Sequence, residues 1–163
     1  MERLWSPWRA KYIASGSSGD SKSGSCVFCE IARDLANDEK NLVLHRGAHN
    51  FVVLNLYPYV SGHLLVVPYD HIGELDAAAK EITDELMDLT KRSQTVLRDV
   101  YKPTGFNVGM NLGVSAGAGV VDHIHLHILP RWIGDTNFMS TVAQTRVLPE
   151  DLETTHRKLR DKF

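Results

Sequence analysis

The stretch His-Ile-His-Leu-His-Ile-Leu-Pro-Arg, residues 123–131, decides the fold. Three histidines alternate there with aliphatic residues, and successive side chains of a β-strand point to opposite faces of a sheet. The spacing therefore predicts a strand that packs its aliphatic side chains on one face and presents His123, His125 and His127 together on the other.

Three histidines on one strand face are open to more than one interpretation. Neutral imidazole serves as a nucleophile, a proton carrier or a metal ligand, because its unperturbed pKa of about 6.5 lies near working pH. One alternative is a core strand with incidental histidines, and another is a metal site made by all three rings. We favour a reactive site, because three polar side chains on one strand face need a chemical reason.

Length and composition fit one compact domain and exclude two classes of partner. A chain of 163 residues with 43% hydrophobic content is long enough to bury roughly 68–70% of its unfolded surface. Its apolar runs are shorter than the roughly 20 residues that span a bilayer, and charges and tryptophans stand where a signal peptide is apolar. We therefore expect a cytoplasmic protein with no membrane partner. A net charge of −2 without a basic block argues against long nucleic acids.

The only two cysteines are Cys26 and Cys29, which form a Cys-x-x-Cys motif. In a reducing cytoplasm this spacing indicates half of a metal site or a redox pair, and a structural disulfide is the weaker option. A metal site would need two further ligands from elsewhere in the chain.

The composition of the chain changes after residue 14 and again after residue 25. Residues 1–14 carry Trp5, Trp8, Tyr12 and Ile13, whereas residues 15–25 contain only Ser, Gly, Asp and Lys. We expect residues 1–25 to form an N-terminal arm and flexible linker, and residues 26–163 to form a single domain. The arm either reaches a partner subunit or covers the core of its own domain.

Periodicity along the domain predicts five strands and three helices. Helical spacing indicates a short helix over 26–35, a long helix over 82–100 and a final helix opened by Pro149, with Glu150 and Asp151 in its first turn. Strands are predicted at 42–45, 51–54, 63–67, 106–112 and in the histidine stretch. Hairpin-length connections then indicate an α+β fold, a five-stranded antiparallel sheet with helices packed on it.

These motifs together resemble the histidine triad superfamily of nucleotide hydrolases and transferases. The alternation at 123–129 matches the superfamily's defining pattern, and the resemblance continues through Asn55 and residues 26–29, 62–68, 71 and 129–132. Residues 4–9 and 134–138 are similar to a bacterial branch related to diadenosine tetraphosphate phosphorylases. The resemblance implies a HIT-like fold, a nucleotide or dinucleoside polyphosphate substrate, and a homodimer that joins two sheets.

The resemblance also implies the catalytic roles. His125 matches the residue that attacks the α-phosphorus of a nucleotide and forms a nucleotidyl-histidine intermediate, which splits one displacement into two easier ones. Attack needs a free lone pair on one ring nitrogen, so the other should donate to an acceptor, such as a backbone carbonyl of the preceding loop. His127 would stabilise charge or deliver a proton, and His63 would support the nucleophile or the phosphates.

Four further residues are expected to bind the nucleotide. Asn55 matches a position that hydrogen-bonds ribose hydroxyls, and Asn111 is a better match than Asn107 for holding phosphate or sugar. The glycine-rich loop at 113–119 would offer backbone N–H groups to phosphate. The Gln and Ser/Thr usual in this loop are missing and one extra residue precedes His123, so we assign the leaving-group contact to Ser115 and the Gly119 backbone.

The resemblance completes the metal site as well. Several bacterial members bind zinc through the Cys-x-x-Cys pair, a histidine soon after the Val-Pro strand end and the first triad histidine. Those positions are Cys26, Cys29, His71 and His123, a Cys₂His₂ set suited to tetrahedral, structural zinc.

Two other classes of function remain as alternatives. A nucleotide-sensing or binding module with a structural zinc site would bind nucleotides without turnover. A redox or metal-carrier protein using the two cysteines would leave the histidine strand unexplained.

Overall fold

The computed structural model describes residues 26–136 and 148–163. The arm and linker predicted over residues 1–25 lie outside the described residues, and so do residues 137–138 of the 134–138 stretch that resembles the bacterial branch. All contacts below are among the described residues.

A five-stranded antiparallel sheet forms the centre of the domain, as the sequence predicted. Its spatial order is β1-β2-β3-β5-β4, so β1 and β4 are the edges. The strands are β1 Val43–Arg46, β2 Asn50–Leu54, β3 Leu64–Pro68, β4 Gly105–Met110 and β5 Leu126–Arg131.

The histidine strand begins later than its sequence pattern predicted. Pairing with β3 starts at Val66 opposite Leu126, and continuing that register would place Ile124 opposite Pro68. Proline has no N–H to give to a ladder, and the N–H of Ile124 donates instead to the carbonyl of Ile72 at 2.7 Å. His123 and His125 therefore lie in a segment before β5, and only His127 is within the strand.

Within residues 26–136 and 148–163, three α-helices cover the sheet from both sides. They are α1 Val27–Arg33, α2 Lys80–Tyr101 and α3 Leu152–Arg160. The long helix follows its predicted range closely and ends where Lys102 adopts a left-handed conformation with φ 48° immediately before Pro103. Among the described helices, none is long and apolar enough to cross a membrane.

The final helix starts three residues after its predicted start at Pro149. Asp151 is its N-cap and accepts a hydrogen bond from the N–H of Thr154, which is the usual role of an aspartate at a helix start. Glu150 lies before the helix and contacts Tyr101, Lys158 and Thr155. The prediction that Glu150 and Asp151 occupy the first turn was therefore wrong.

The alternation of the strands separates two hydrophobic clusters. One face of the sheet carries Val52, Val66, Leu126 and Ile128, which pack with apolar residues of α2 and with Leu159 of α3. The other face carries Phe51, Val53, Leu65 and Val67, which pack with Phe28 of α1. The histidines lie on this second side, so α1 covers the face on which the predicted chemistry occurs.

Candidate active site and metal centre

Two neighbouring strands bring three histidines together. His63 immediately precedes β3, and His127 of β5 lies opposite Leu65 in the β3–β5 register. The ring centroids of His63 and His127 are 5.1 Å apart, and those of His125 and His127 are 4.9 Å apart. The structure therefore brings together the three predicted catalytic side chains.

The ring of His125 is held by the main chain of its own segment. Its Nδ1 lies 2.9 Å from the carbonyl oxygen of His123 and donates a hydrogen bond to it, since a carbonyl only accepts. In the neutral ring Nε2 then carries a free lone pair. The acceptor is a backbone carbonyl, as expected, but it belongs to the second residue before His125 and not to the glycine-rich loop.

A directed chain of hydrogen bonds connects His63 and His127. The N–H of Tyr59 donates to Nδ1 of His63 over 3.2 Å, so the proton of neutral His63 is on Nε2. That atom lies 2.9 Å from Nδ1 of His127 and donates to it. The proton of His127 is therefore on Nε2, a buried atom with no hydrogen-bond partner among the described residues.

Burial keeps these imidazoles neutral. Desolvation, followed by the neighbouring histidines, lowers the pKa of His63 to about 3. Desolvation and His125 likewise lower the pKa of His127 to about 4. For His125, desolvation lowers the pKa against the opposing effect of the hydrogen bond to His123. The cluster offers one lone pair, on His125, and one unsatisfied N–H donor, on His127.

Aromatic rings enclose the cluster on two sides. The ring centroids of Phe28 in α1 and His125 are 5.1 Å apart. The ring of Tyr59 is tilted against His63 at 4.9 Å and stacks on His127 at 6.3 Å. Only 6% of the surface of His125 is exposed. Phe28 therefore packs directly on the ring of His125.

Asn55 lies beside the cluster. Its side-chain Nδ2 is 3.3 Å from Nδ1 of His63, and its Oδ1 accepts the N–H of Tyr57 at 3.0 Å. Asn107 is turned elsewhere, because its Oδ1 accepts a hydrogen bond from Arg131. Of these two asparagines, Asn55 is the one that the structure places in contact with a catalytic candidate.

The loop between β4 and β5 carries the other predicted binding residues. The last pair between β4 and β5 is Met110 with Leu126, and continuing that register would place Asn111 opposite His125. Ser115 and Gly119 are exposed in the loop, and neither forms a hydrogen bond with a histidine of the described residues. Positive φ values of 79° at Gly113 and 84° at Gly117 require glycine at two loop positions that sequence reasoning did not single out.

A second cluster lies at the other end of the histidine segment. Cys26, Cys29, His71 and His123 each offer one ligand atom, and these four atoms lie within 4.8 Å of one another. The Sγ atoms of Cys26 and Cys29 are 3.3 and 3.6 Å from Nδ1 of His123. Nδ1 of His71 is 3.3 Å from both Sγ of Cys29 and Nδ1 of His123.

These separations fit a tetrahedral zinc ion. Bonds of about 2.3 Å to sulfur and 2.0–2.1 Å to nitrogen give tetrahedral edges of about 3.3 Å between two nitrogens and about 3.6 Å between nitrogen and sulfur. Nε2 of His123 lies 2.9 Å from the carbonyl oxygen of Pro68 and donates to it, which leaves Nδ1 free for a metal, a usual arrangement for ligating histidines. The residues therefore fit the metal, and both cysteines are free thiols, not a disulfide.

Sequence reasoning missed Tyr59 and the carbonyl of Pro68. Tyr59 fixes the tautomer of His63 through its main chain, and Pro68 fixes that of His123. Main-chain groups leave no trace in residue identity. The one local signal was Gly62, whose φ of 76° turns the chain between Tyr59 and His63.

Fold and site together define an α+β protein with a histidine cluster on one sheet face and an adjoining Cys₂His₂ set. Residues 36–132 match the family model of the HIT domain. The chain is 42% identical over 163 residues to the AP-4-A phosphorylase of Mycobacterium tuberculosis, covering 98% of this chain and 83% of that protein. It therefore belongs to the HIT family, which confirms the predicted membership.

Two further similarities bear on the site. The chain is 36% identical over 90 residues to the asymmetrical bis(5'-nucleosyl)-tetraphosphatase of Schizosaccharomyces pombe, covering 55% of this chain and 48% of that enzyme. The crystal structure of a zinc-bound histidine triad family protein from Mycobacterium smegmatis superposes with a TM-score of 0.69 at 30% identity, covering 85% of this chain and 92% of that one.

Proposed function

We propose that this protein is a nucleotide hydrolase or transferase that cleaves the α-phosphate linkage of a dinucleoside polyphosphate, such as diadenosine tetraphosphate, or of a related nucleotidyl compound. The observation that carries the proposal is the pairing of a free lone pair on His125 with an unsatisfied N–H donor on His127. The names of the two enzymes described above support the substrate class.

The first half of the reaction uses both histidines. Nε2 of His125 attacks the α-phosphorus, an N–P bond forms, and the bond from phosphorus to the bridging oxygen breaks. The leaving nucleoside polyphosphate departs as an anion, and its oxygen accepts a hydrogen bond from Nε2–H of His127, which keeps its proton. A positioned donor of this kind stabilises the charge that develops on the leaving oxygen, and the donation from His63 to His127 fixes which nitrogen of His127 carries the proton.

The second half returns the enzyme to its starting state. Phosphate or water attacks the nucleotidyl group, the N–P bond breaks, the electron pair of that bond returns to Nε2 of His125, and the acceptor's proton is released to solvent. Two displacements at one phosphorus replace a single more difficult one. Burial of His125 favours its neutral ring, which is the form able to attack.

The predicted binding residues have separate roles in this proposal. Asn55 holds the ribose hydroxyls, a role supported by its position against His63. Asn111, Ser115 and the backbone of Gly119 contact phosphate and the leaving group. Their support is the course of the 111–122 loop, which joins the end of β4 to the histidine segment.

Zinc is proposed as a structural cofactor held by Cys26, Cys29, His71 and His123. With four protein ligands, a bound ion would supply cross-linking of the chain and no open position for water. The protein's own contribution is to fix His123, whose carbonyl receives the Nδ1–H of His125. The nucleophile is thus oriented by a residue of the metal set.

The proposal also includes the domain organisation, the oligomeric state and the cellular location of the protein. We take residues 26–163 as one catalytic domain following the 1–25 segment, and the chain as a homodimer joined through a sheet edge. Edge strand β4 supports the dimer, because Val108 is 43% exposed and an unpaired edge is a template for another strand. Two free thiols in a metal-ligand arrangement support a cytoplasmic location.

Replacement of His125 tests the mechanism. We expect His125→Ala to fold with its zinc set intact and to lose turnover on the order of 10⁴-fold, whereas the control His49→Ala at an exposed turn keeps its activity. Wild-type protein quenched in base should carry a covalent nucleotide that His125→Ala lacks. Near wild-type turnover by His125→Ala would disprove the nucleophile.

A substrate panel separates the remaining choices. Diadenosine polyphosphates, nucleoside phosphoramidates and adenylylated amines are each assayed with and without phosphate. Turnover that requires phosphate identifies a phosphorylase, and turnover in water alone identifies a hydrolase. Binding without turnover of any of them would refute the enzyme and favour the sensing module.

A further inference from the structure

A cavity of about 770 Å³ lies outside the histidine cluster, lined by residues 73–76, 112–113 and 121–122. Its walls come from the segment after β3 and from both ends of the loop between β4 and β5. The walls meet closely, because a Cβ on Gly73 would lie 3.3 Å from Cα of Asp122. This volume is within the range of about 300–1,000 Å³ that proteins use to bind ligands.

The cavity combines apolar surface with negative charge. Leu75 and Leu112 line it and are 37% and 43% exposed. Glu74, Asp76 and Asp122 are exposed around it, and none of them forms an ion pair within 26–136 or 148–163. An occupant with apolar side chains and positive charge would complement both features.

The chain itself contains a segment of that chemistry. Residues 1–14 include three cations, Arg3, Arg9 and Lys11, against one carboxylate, Glu2. The same segment carries six large apolar or aromatic residues: Met1, Leu4, Trp5, Trp8, Tyr12 and Ile13. Each tryptophan alone offers roughly 150–250 Å² of surface to bury.

The described chain begins beside this cavity. Sγ of Cys26 is 3.3 Å from Nδ1 of His123, the residue after Asp122 in the cavity wall. Cys29 is 3.3 Å from His71, two residues before the wall at Gly73. Residues 15–25 could span roughly 36–40 Å when extended, so their length does not prevent the preceding residues from reaching the cavity.

We propose that residues 1–14 of the chain dock in the cavity formed by 73–76, 112–113 and 121–122 of the same chain. The aromatic side chains cover Leu75 and Leu112, and the cations face the three carboxylates. The segment would thereby contact both ends of the loop between β4 and β5. This proposal does not depend on the catalytic assignment, so the two can fail separately.

Tryptophan fluorescence tests the docking in the full chain. Trp132→Phe leaves Trp5 and Trp8 as the only tryptophans, so emission then reports on the N-terminal segment. We expect acrylamide quenching about threefold weaker than for a peptide of residues 1–14, because docked indoles are shielded from solvent. Adding Glu74→Lys and Asp76→Lys should raise quenching toward the value of the peptide.

The matched control reverses two carboxylates on the outer face of α2. Asp88→Lys with Asp99→Lys changes the same number of exposed charges and should leave quenching unchanged. Quenching as strong as that of the peptide in the Trp132→Phe protein would overturn the proposal. So would equal effects of the two double variants.

Photocrosslinking separates a chain's own segment from that of a second copy. Benzoylphenylalanine replaces Leu112 in a mixture of ¹⁴N- and ¹⁵N-labelled chains. Crosslinks to residues 1–14 within one isotope are expected. Mixed-isotope crosslinks, or crosslinks only to other parts of the chain, would overturn the proposal.

Discussion

Acid should destabilise this fold through two buried histidines. Burial lowers the pKa of His63 to about 3 and that of His127 to about 4, from the ordinary value of 6.5. Between those values the unfolded chain binds protons that the folded chain does not, so stability falls as pH decreases. The stabilising effect is fully present above pH 6.5 and is lost as pH falls toward 4 and 3.

The size of the effect at pH 5 follows from the unfolded state. At this pH both folded rings remain neutral, while an imidazole of pKa 6.5 in the unfolded chain is almost fully protonated. At about 1.4 kcal/mol for each pH unit below 6.5, each histidine costs about 2 kcal/mol, and the pair costs about 4 kcal/mol.

Urea unfolding at pH 7.5 and pH 5.0, followed by far-UV circular dichroism, measures this loss. We expect His63→Gln and His127→Gln each to lose about 2 kcal/mol less than wild type between the two pH values. The proposed zinc ligands are the same in all three proteins, so any titration of these residues cancels. His49→Gln, at an exposed turn position, should keep the wild-type difference. The reasoning is refuted if His63→Gln loses as much stability as wild type.

Three further predictions concern stability. Purified protein should contain one zinc per chain. Chelation of the metal or the substitution Cys29→Ser should lower Tm, because metal-binding free energy contributes to folding. Metal-free protein with the same Tm as the purified protein would contradict this prediction. Glu85→Gln should lower the free energy of unfolding in urea by about 1–3 kcal/mol, because the Glu85 carboxylate accepts hydrogen bonds from the N–H groups of residues 48–50. Glu81→Gln, exposed on the same helix, is the control. An equal loss of stability in both variants would contradict the assignment. Asp151→Ala should cost about 1 kcal/mol through loss of the α3 N-cap, measured in the same assay, and no change in stability would argue against the cap.

The sequence predicted which side chains lie together at the site better than it predicted where the strands and helices begin. Alternation at 123–129 predicted that His125 and His127 lie together, and their ring centroids are 4.9 Å apart, although only His127 is within β5. The predicted start of β5 was wrong because the strand's actual start depends on Pro68, which lies 58 positions before Leu126. Pro68 has no N–H with which to pair with Ile124, and Ile124 donates to Ile72 instead. The Pro149 start of α3 was wrong because the Asp151 side chain caps the helix.

Contacts distant in sequence explain what remained unpredicted at the site. The contact of Phe28 with His125 depends on how α1 packs across the sheet, which local sequence patterns do not show. The Cys₂His₂ set required the family resemblance, because Cys26 and His123 are 97 residues apart and no short spacing joins them. Local patterns could supply half of that set and no more.

The hydrogen bond from Tyr59 to His63 comes from a main-chain N–H. Most mutations at position 59 should therefore leave the direction of donation from His63 to His127 unchanged. A main-chain N–H can only donate, and nineteen of the twenty amino acids possess one, so selection is free to vary the ring at position 59 without reversing His63 and His127. Proline alone removes the donor. Proline at position 59 is therefore the one replacement that this hydrogen bond excludes among relatives, while the packing of the Tyr59 ring on His63 and His127 is a separate constraint on the other replacements.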